Sequence, residues 1–259
     1  MPLPPQKIST RLIRKGALIE ETYQAFGAWE QGQSVAANLK RIFETNAVNA
    51  RNEAWLKEIV TTLSNRFSAH DKIAPLVTAV QAGLPLEKWK HCLLWHAGRT
   101  DLIYFLFATE WLFPERERGR FTIRSDDVVP FVREVFKNRS SKTKAHSEYA
   151  TVRAARDLLL MAKDFGLVEG SSTRHFPPFH LADEAFLYVL HAIAEDESNA
   201  RRIVESKDWR LFLMTPDDVE REILRLHQFR KLRYDTAGSL AQLALPFLSL
   251  QKYADSLFT

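Results

Sequence analysis

Apolar residues in this chain recur at steps of three and four, and glycines close most of the runs, so most of the chain can bury a continuous face only as helix. Leu18, Thr22, Phe26 and Trp29 precede Gly32, and Val35, Leu39 and Ile42 follow it. Trp55, Ile59, Leu63 and Phe67 mark a longer segment, and Val152, Ala155, Leu159 and Ala162 mark another before Gly166. With 46% of 259 residues apolar, the chain has enough material for a real core. The predicted fold class is all-α, a compact multi-helix globular fold with helix-turn-helix elements, one of them winged by a short β-hairpin. Three regions are expected, 1–83, 84–182 and 183–259, packed as one unit.

The first pair of helices is predicted over Val35–Phe43, capped by Ser34, and over Ala50–Phe67, with Trp55, Ile59, Leu63 and Phe67 buried. Short helix, tight turn and longer helix make a helix-turn-helix outline. Pro85 opens a further helix through Trp89 and His96, and another runs from Leu102 until Pro114 stops it. The pattern sharpens after Ser125. Asp126 or Asp127 caps a helix that holds Pro130 in its first turn, and a polar turn leads to a helix that starts at Ser147 and ends at Gly166. Leu167–Glu169 reads as a strand, Gly170–Arg174 as a turn and Phe179–Leu181 as the returning strand, after which Asp183 caps the next helix. Helix, basic turn, helix and hairpin form a winged helix-turn-helix. The last third is expected to alternate helices with turns: Trp209, Leu211 and Phe212 form an apolar knot, and Pro216 opens a helix running toward Arg233.

Several classes are excluded or disfavoured. The single cysteine, Cys92, permits no intrachain disulfide and no cysteine-based zinc site, which fits a reducing cytosol. The opening MPLPPQKIST lacks the apolar core of a signal peptide. Leu102–Phe113 and Leu240–Leu250 are too short to span a bilayer and read as buried core. A cytoplasmic protein with no membrane partner is expected. His91 and His96, five apart, fall on different helix faces and read as packing, and His175 and His180 read as wing or core residues. No nucleophile elbow, Walker loop, dinucleotide fingerprint or zincin motif is present. The expectation is a non-enzyme without cofactor or metal.

The formal charge of +4 decides little, but its distribution is informative. Residues 1–19 carry Lys7, Arg11, Arg14 and Lys15 and no acid, and Lys40, Arg41 and Arg51 lie near the first helix-turn-helix turn. In the loop Pro114–Arg124, four arginines outnumber Glu115 and Glu117 as a plausible positive surface, with a solvated loop as the plain alternative. Between Lys137 and Arg156 the cations are Lys137, Arg139, Lys142, Lys144, Arg153 and Arg156, against Glu148 alone. This local excess is larger than the charge of the whole chain. A helix N-terminus is an anion site, basic residues around it dock phosphates, and exposed side chains on the second helix reach a major groove. Double-stranded DNA is therefore the expected partner, with Arg174 contributing from the wing. Winged helices also serve as protein-binding modules, and a scaffold that holds other proteins is the main rival.

Four segments bring a family into view: TRLIRKGALIEETYQAFGAW (Thr10–Trp29), NLKRIFETNAVNARN (Asn38–Asn52), GLVEG (Gly166–Gly170) and DWRLF (Asp208–Phe212). They resemble the BrxA family of bacteriophage exclusion (BREX) phage-defence systems. That resemblance implies a small all-α protein that binds duplex DNA without an activity of its own. It also implies neighbours: a methyltransferase, an ATPase, a phosphatase-like protein and a protease-like protein.

Overall fold

Small polar residues stand just before several apolar runs, and in the computed structural model they cap the helices those runs form. The structure describes residues 8, 10–68, 73–139, 146–238 and 240–258. Helix α1 (Ile19–Gly27) is followed by α2 (Val35–Thr45), where Ser34 accepts the Ala37 N–H at 3.1 Å. Asn52 accepts the Trp55 N–H at 2.8 Å and starts α3 (Glu53–Phe67). Each such cap satisfies a donor that the first helical turn leaves open. Trp55 is only half-buried, because its ring lies on the rim under the Lys15 ammonium rather than inside.

Helices α4 (Ile73–Gln81) and α5 (Leu86–Thr100) lead to Asp101, which accepts the Ile103 and Tyr104 N–H groups at the head of α6 (Leu102–Leu106). Pro114 does not stop this helix. A π-helical stretch, Phe107–Leu112, lets the Phe113 N–H reach the Ala108 carbonyl, and the chain continues through Pro114 into α7 (Phe113–Glu117). The wider turn spares the proline a clash with the preceding carbonyl ladder.

Helix α8 (Ser125–Arg139) begins early enough that Pro130 sits in its second turn, and Asp127 accepts the Arg124 N–H at 2.7 Å. Ser147 accepts the Ala150 N–H and opens α9 (Glu148–Asp164). Strand β1 (Glu169–Gly170) pairs antiparallel with β2 (Arg174–His175), so the returning strand lies earlier than Phe179–Leu181. Pro177 and Pro178 have no N–H to extend a ladder.

Helix α10 (Asp183–Ala194) begins without a side-chain cap; Asp183 instead takes Arg225 and, at 2.8 Å, Lys231. After α11 (Ala200–Val204), the 3₁₀ turn Lys207–Phe212 buries Asp208, which accepts the Trp95 indole N–H at 2.8 Å. Helix α12 (Pro216–Gln228) ends five residues before Arg233. Beyond it β3 (Arg233–Ala237) and β4 (Leu240–Ala244) form a second hairpin with Tyr234 opposite Leu243. Leu240–Leu250 is thus mostly strand and turn: Leu250 lies in the core, Ala241, Leu243, Leu245 and Phe247 pack half-buried against it, and Leu248 is fully exposed. Helix α13 (Leu250–Asp255) closes the chain against α4 and α10. One core cluster joins Ile13, Phe26, Trp89, Tyr104, Leu158, Phe186, Trp209 and Tyr253.

A buried polar group ties the N-terminal segment to this core. The Arg66 guanidinium donates to the Leu12 carbonyl at 2.9 Å, to the Gly16 carbonyl at 2.6 Å and to that of Ala17. Burial lowers the Arg66 pKa to about 10, opposed by Asp101, Asp164 and Glu21, so it stays charged at neutral pH. Burial pushes Asp101 up to about 7 against the pull of the Tyr104 N–H, Arg66 and the Ile103 N–H. Its Oδ2 has no hydrogen-bond partner.

The folded protein therefore holds the Asp101 proton up to about pH 7, whereas an unfolded chain releases it near pH ~4. Between those values the native state binds more protons, so this group's contribution to stability falls as pH rises. Asp101→Asn keeps a capping oxygen and removes the titration. Urea unfolding at pH 4.5 and 7.5 should show the variant gaining on wild type at the higher pH, by up to about 1.4 kcal/mol per pH unit across the window. Parallel profiles would mean that Asp101 is ionised in the fold.

Candidate nucleic-acid interface

Helix α9 has one face that the fold leaves uncovered. Thr151, Ala154, Ala155, Leu158, Leu159 and Ala162 are buried, most of them against α8 and the core. Tyr149, Arg153, Arg156, Leu160 and Lys163 are exposed, and their 4-3-4-3 spacing lines them along a single stripe. Tyr149 is 75% exposed and Leu160 42%. Arg153 lies 3.8 Å from Asp157, and Arg156 and Lys163 have no ion pair among the described residues. Asp157 is half-buried; desolvation raises its pKa, while Arg153 and Arg14 pull it down. The last influence means that Arg14 lies within electrostatic range of α9.

A small sheet follows this helix in the chain. Ile123 forms an antiparallel bridge to Arg174, with N–H to carbonyl distances of 2.8 Å in both directions. β2 thus lies between Ile123 and β1, and Arg124 runs exposed toward α8. The order is helix, single bridge, helix, helix, hairpin. Arg174 sits at the centre of that sheet, its Nε buried without a partner and its pKa lowered by desolvation. His175 turns outward to Glu169 at 2.6 Å, and His91 is buried against Phe179, where burial drops its pKa to about 4.

On α8, Lys137 is exposed, and Arg133 pairs with Glu148 of α9 at 2.9 Å. Arg139 is the last residue of α8; its side chain, and Lys142 and Lys144 altogether, lie outside the described residues.

The other sequence-predicted cations have different surroundings. Lys40 lies 3.7 Å from Glu44, and Lys15 lies 3.1 Å from Glu58. Arg41 donates to the Ala28 carbonyl and lies 3.3 Å from Glu30, so it fastens α2 to the end of α1. Arg51 is exposed just before the Asn52 cap, and Arg11 is exposed on the N-terminal segment. The α2–α3 pair therefore carries nearly balanced charge. The loop Pro114–Arg124 is not a free positive surface either. Buried Glu115 takes Arg118 at 2.6 Å and also Arg120, while Arg116 donates to the Leu213 carbonyl at 2.8 Å. That loop instead presents Phe121, 85% exposed.

Sequence reasoning found Arg153 and Arg156 and counted Arg124 among the cations of the Pro114–Arg124 loop, but missed Tyr149 and Lys163. The repeated 4-3-4-3 spacing was the available signal for those two. The Ile123 bridge, which sets Arg124 next to the hairpin, is not announced by one residue of extended chain.

A family model described as BrxA matches residues 6–192. No curated protein and no solved structure matches the chain.

The hairpin beside α9 depends on Gly170, whose φ is +109° and where a Cβ would lie 2.3 Å from the Thr173 carbonyl oxygen. Gly170→Ala should cost roughly 1–3 kcal/mol in chemical unfolding. Gly32→Ala, at φ +83° with open space around it, should cost about 1 kcal/mol. Equal costs would mean that the hairpin tolerates repacking.

Proposed function

The chain belongs to the BrxA family and is a component of a BREX phage-defence system, and from that premise we propose that it binds double-stranded DNA through α9 and the adjoining hairpin, without catalysis. The observation that carries this reading is the uncovered stripe of α9, where Arg153, Arg156 and Lys163 share a face with Tyr149 and Leu160. A surface helix ordinarily leaves its polar face in water, but here that face is cationic, carries exposed Tyr149 and Leu160 and follows a basic turn, which suits phosphates and groove edges. The order of helix, bridge, paired helices and hairpin supports a winged helix-turn-helix, with α9 as its second helix. Strongly displaced protonation equilibria, among them those of Arg66, His91, Cys92, Asp101, Tyr104, Tyr188 and Tyr253, belong to buried groups and not to the exposed residues of the stripe. That pattern favours binding over chemistry at the stripe.

Phosphate docking makes affinity fall with salt at a slope of about 0.9 per neutralised phosphate. Anisotropy of a labelled duplex should therefore show steep salt dependence for wild type. Arg153→Glu combined with Arg156→Glu should bind about ten-fold more weakly or worse, with a shallower slope, while unfolding like wild type. Unchanged binding in the folded variant would move the site off α9. Equal competition by duplex RNA would widen the ligand class.

The adaptor reading draws on Phe121, Phe229 and Leu248, large apolar side chains held in water. Retention of neighbouring defence proteins in a nuclease-treated pull-down, lost in Phe121→Ser, would favour it.

A further inference from the structure

The N-terminal segment and α9 are far apart in sequence and side by side in space. The Ala17 N–H donates to Asp164 Oδ2 at 2.9 Å. Gly16, at φ +70°, comes so close that a Cβ there would lie 2.7 Å from the same oxygen and 3.9 Å from a Leu160 methyl. Asp157 and Asp164, seven residues apart on one flank of α9, thus face the segment, and Asp157 feels both Arg14 and Arg153. Arg66 of α3 donates to the carbonyls of the same segment. A segment fastened to both α3 and α9 holds the exposed Arg14 in a fixed place.

Resting on the duplex-binding reading above, we infer that Asp164 is a positioning residue for a composite phosphate-binding surface: it docks Thr10–Gly16 along α9, so that Arg14 engages the same duplex as Arg153 and Arg156. Arg14 belongs to this surface rather than to the α2–α3 helix pair. Asp164 touches no nucleic acid and acts through the backbone of Ala17.

The test is anisotropy of a labelled duplex of about 20 base pairs across a salt series, with circular dichroism and thermal unfolding of each variant. Arg14→Ala, an exposed change, should weaken binding several-fold and reduce the salt slope by about 0.9. Asp164→Ala should weaken it similarly, and the double variant should be no worse than either single one, as expected for residues acting as a unit. Asp164→Asn retains an oxygen for the Ala17 N–H and should bind like wild type. Arg14→Ala binding within two-fold of wild type while Arg156→Ala binds several-fold weaker would overturn the composite surface and leave the α9 reading standing. Additive losses in the Asp164→Ala, Arg14→Ala double variant would overturn the positioning role. If wild type fails to bind at low salt, the duplex reading itself falls and takes this inference with it. Should Asp164→Ala fail to fold, Arg14→Ala and Asp164→Asn still decide, because losses in both would contradict docking through the retained oxygen.

Discussion

The fold turns on a buried guanidinium. Arg66 projects from α3 and satisfies three carbonyls of a segment that has no regular structure of its own. Irregular backbone cannot be buried without partners, and Leu12, Ile13 and Ala17 are in the core. Hydrogen bonds from a charged donor contribute about 1.5–3 kcal/mol each, enough together to offset several kcal/mol of desolvation. Lysine would do this less well, since its ammonium is a compact, strongly hydrated point charge, whereas the guanidinium spreads its donors over two nitrogens and is more weakly hydrated. Asp164 then completes the arrangement by taking the Ala17 N–H, and so the segment Leu12–Ala17 joins α3 to α9.

Helix α9 consequently serves three surroundings at once. Small residues, Ala154, Ala155 and Ala162, let the buried face come close to its neighbours. The Asp157–Asp164 flank receives the N-terminal segment, and the remaining stripe meets solvent. Asp164 has its pKa raised by burial, countered by the Ala17 N–H, Lys163 and Arg66. An acid in this position is tolerated because it accepts a backbone donor that would otherwise be stranded. Its presence also keeps the local charge from becoming uniformly positive, which would weaken the fold by self-repulsion.

Much of the helical architecture was legible because its signals are local. Ser34 and Ser147 stand where caps belong, and the apolar stripes of α2, α3 and α9 follow the helical period. The second hairpin was not legible. Its strands are five residues long, and Leu240–Ala244 carries too few polar residues to show alternation, so a short apolar run reads equally as helix or core. Pro114 misled for another reason: a proline forbids an ordinary helical bond, but a π-helical turn upstream relieves the constraint through a shift no local pattern encodes. Asp183 looked like a cap, and its oxygens were claimed instead by Arg225 and Lys231 from 42 and 48 residues away.

The site was only partly legible, because charge counted along the chain differs from charge counted in space. Lys15, Lys40 and Arg41 look like contact residues in the sequence and meet Glu58, Glu44 and Glu30 in the fold. Such exposed pairs are worth at most about 1 kcal/mol, so they do not lock those side chains away. They do remove the local excess of positive potential that a polyanion would sense. Arg14 has the opposite history. In the sequence it stands with Arg11 and Lys15 in one acid-free stretch, yet in the fold it lies within electrostatic range of Asp157 on α9 while Lys15 pairs with Glu58 on α3. Two neighbouring cations are thereby divided between two surfaces. Gly16 lets the segment pass this close to α9, since its left-handed backbone bends the chain just after Lys15 and its missing side chain leaves room for the Asp164 carboxylate.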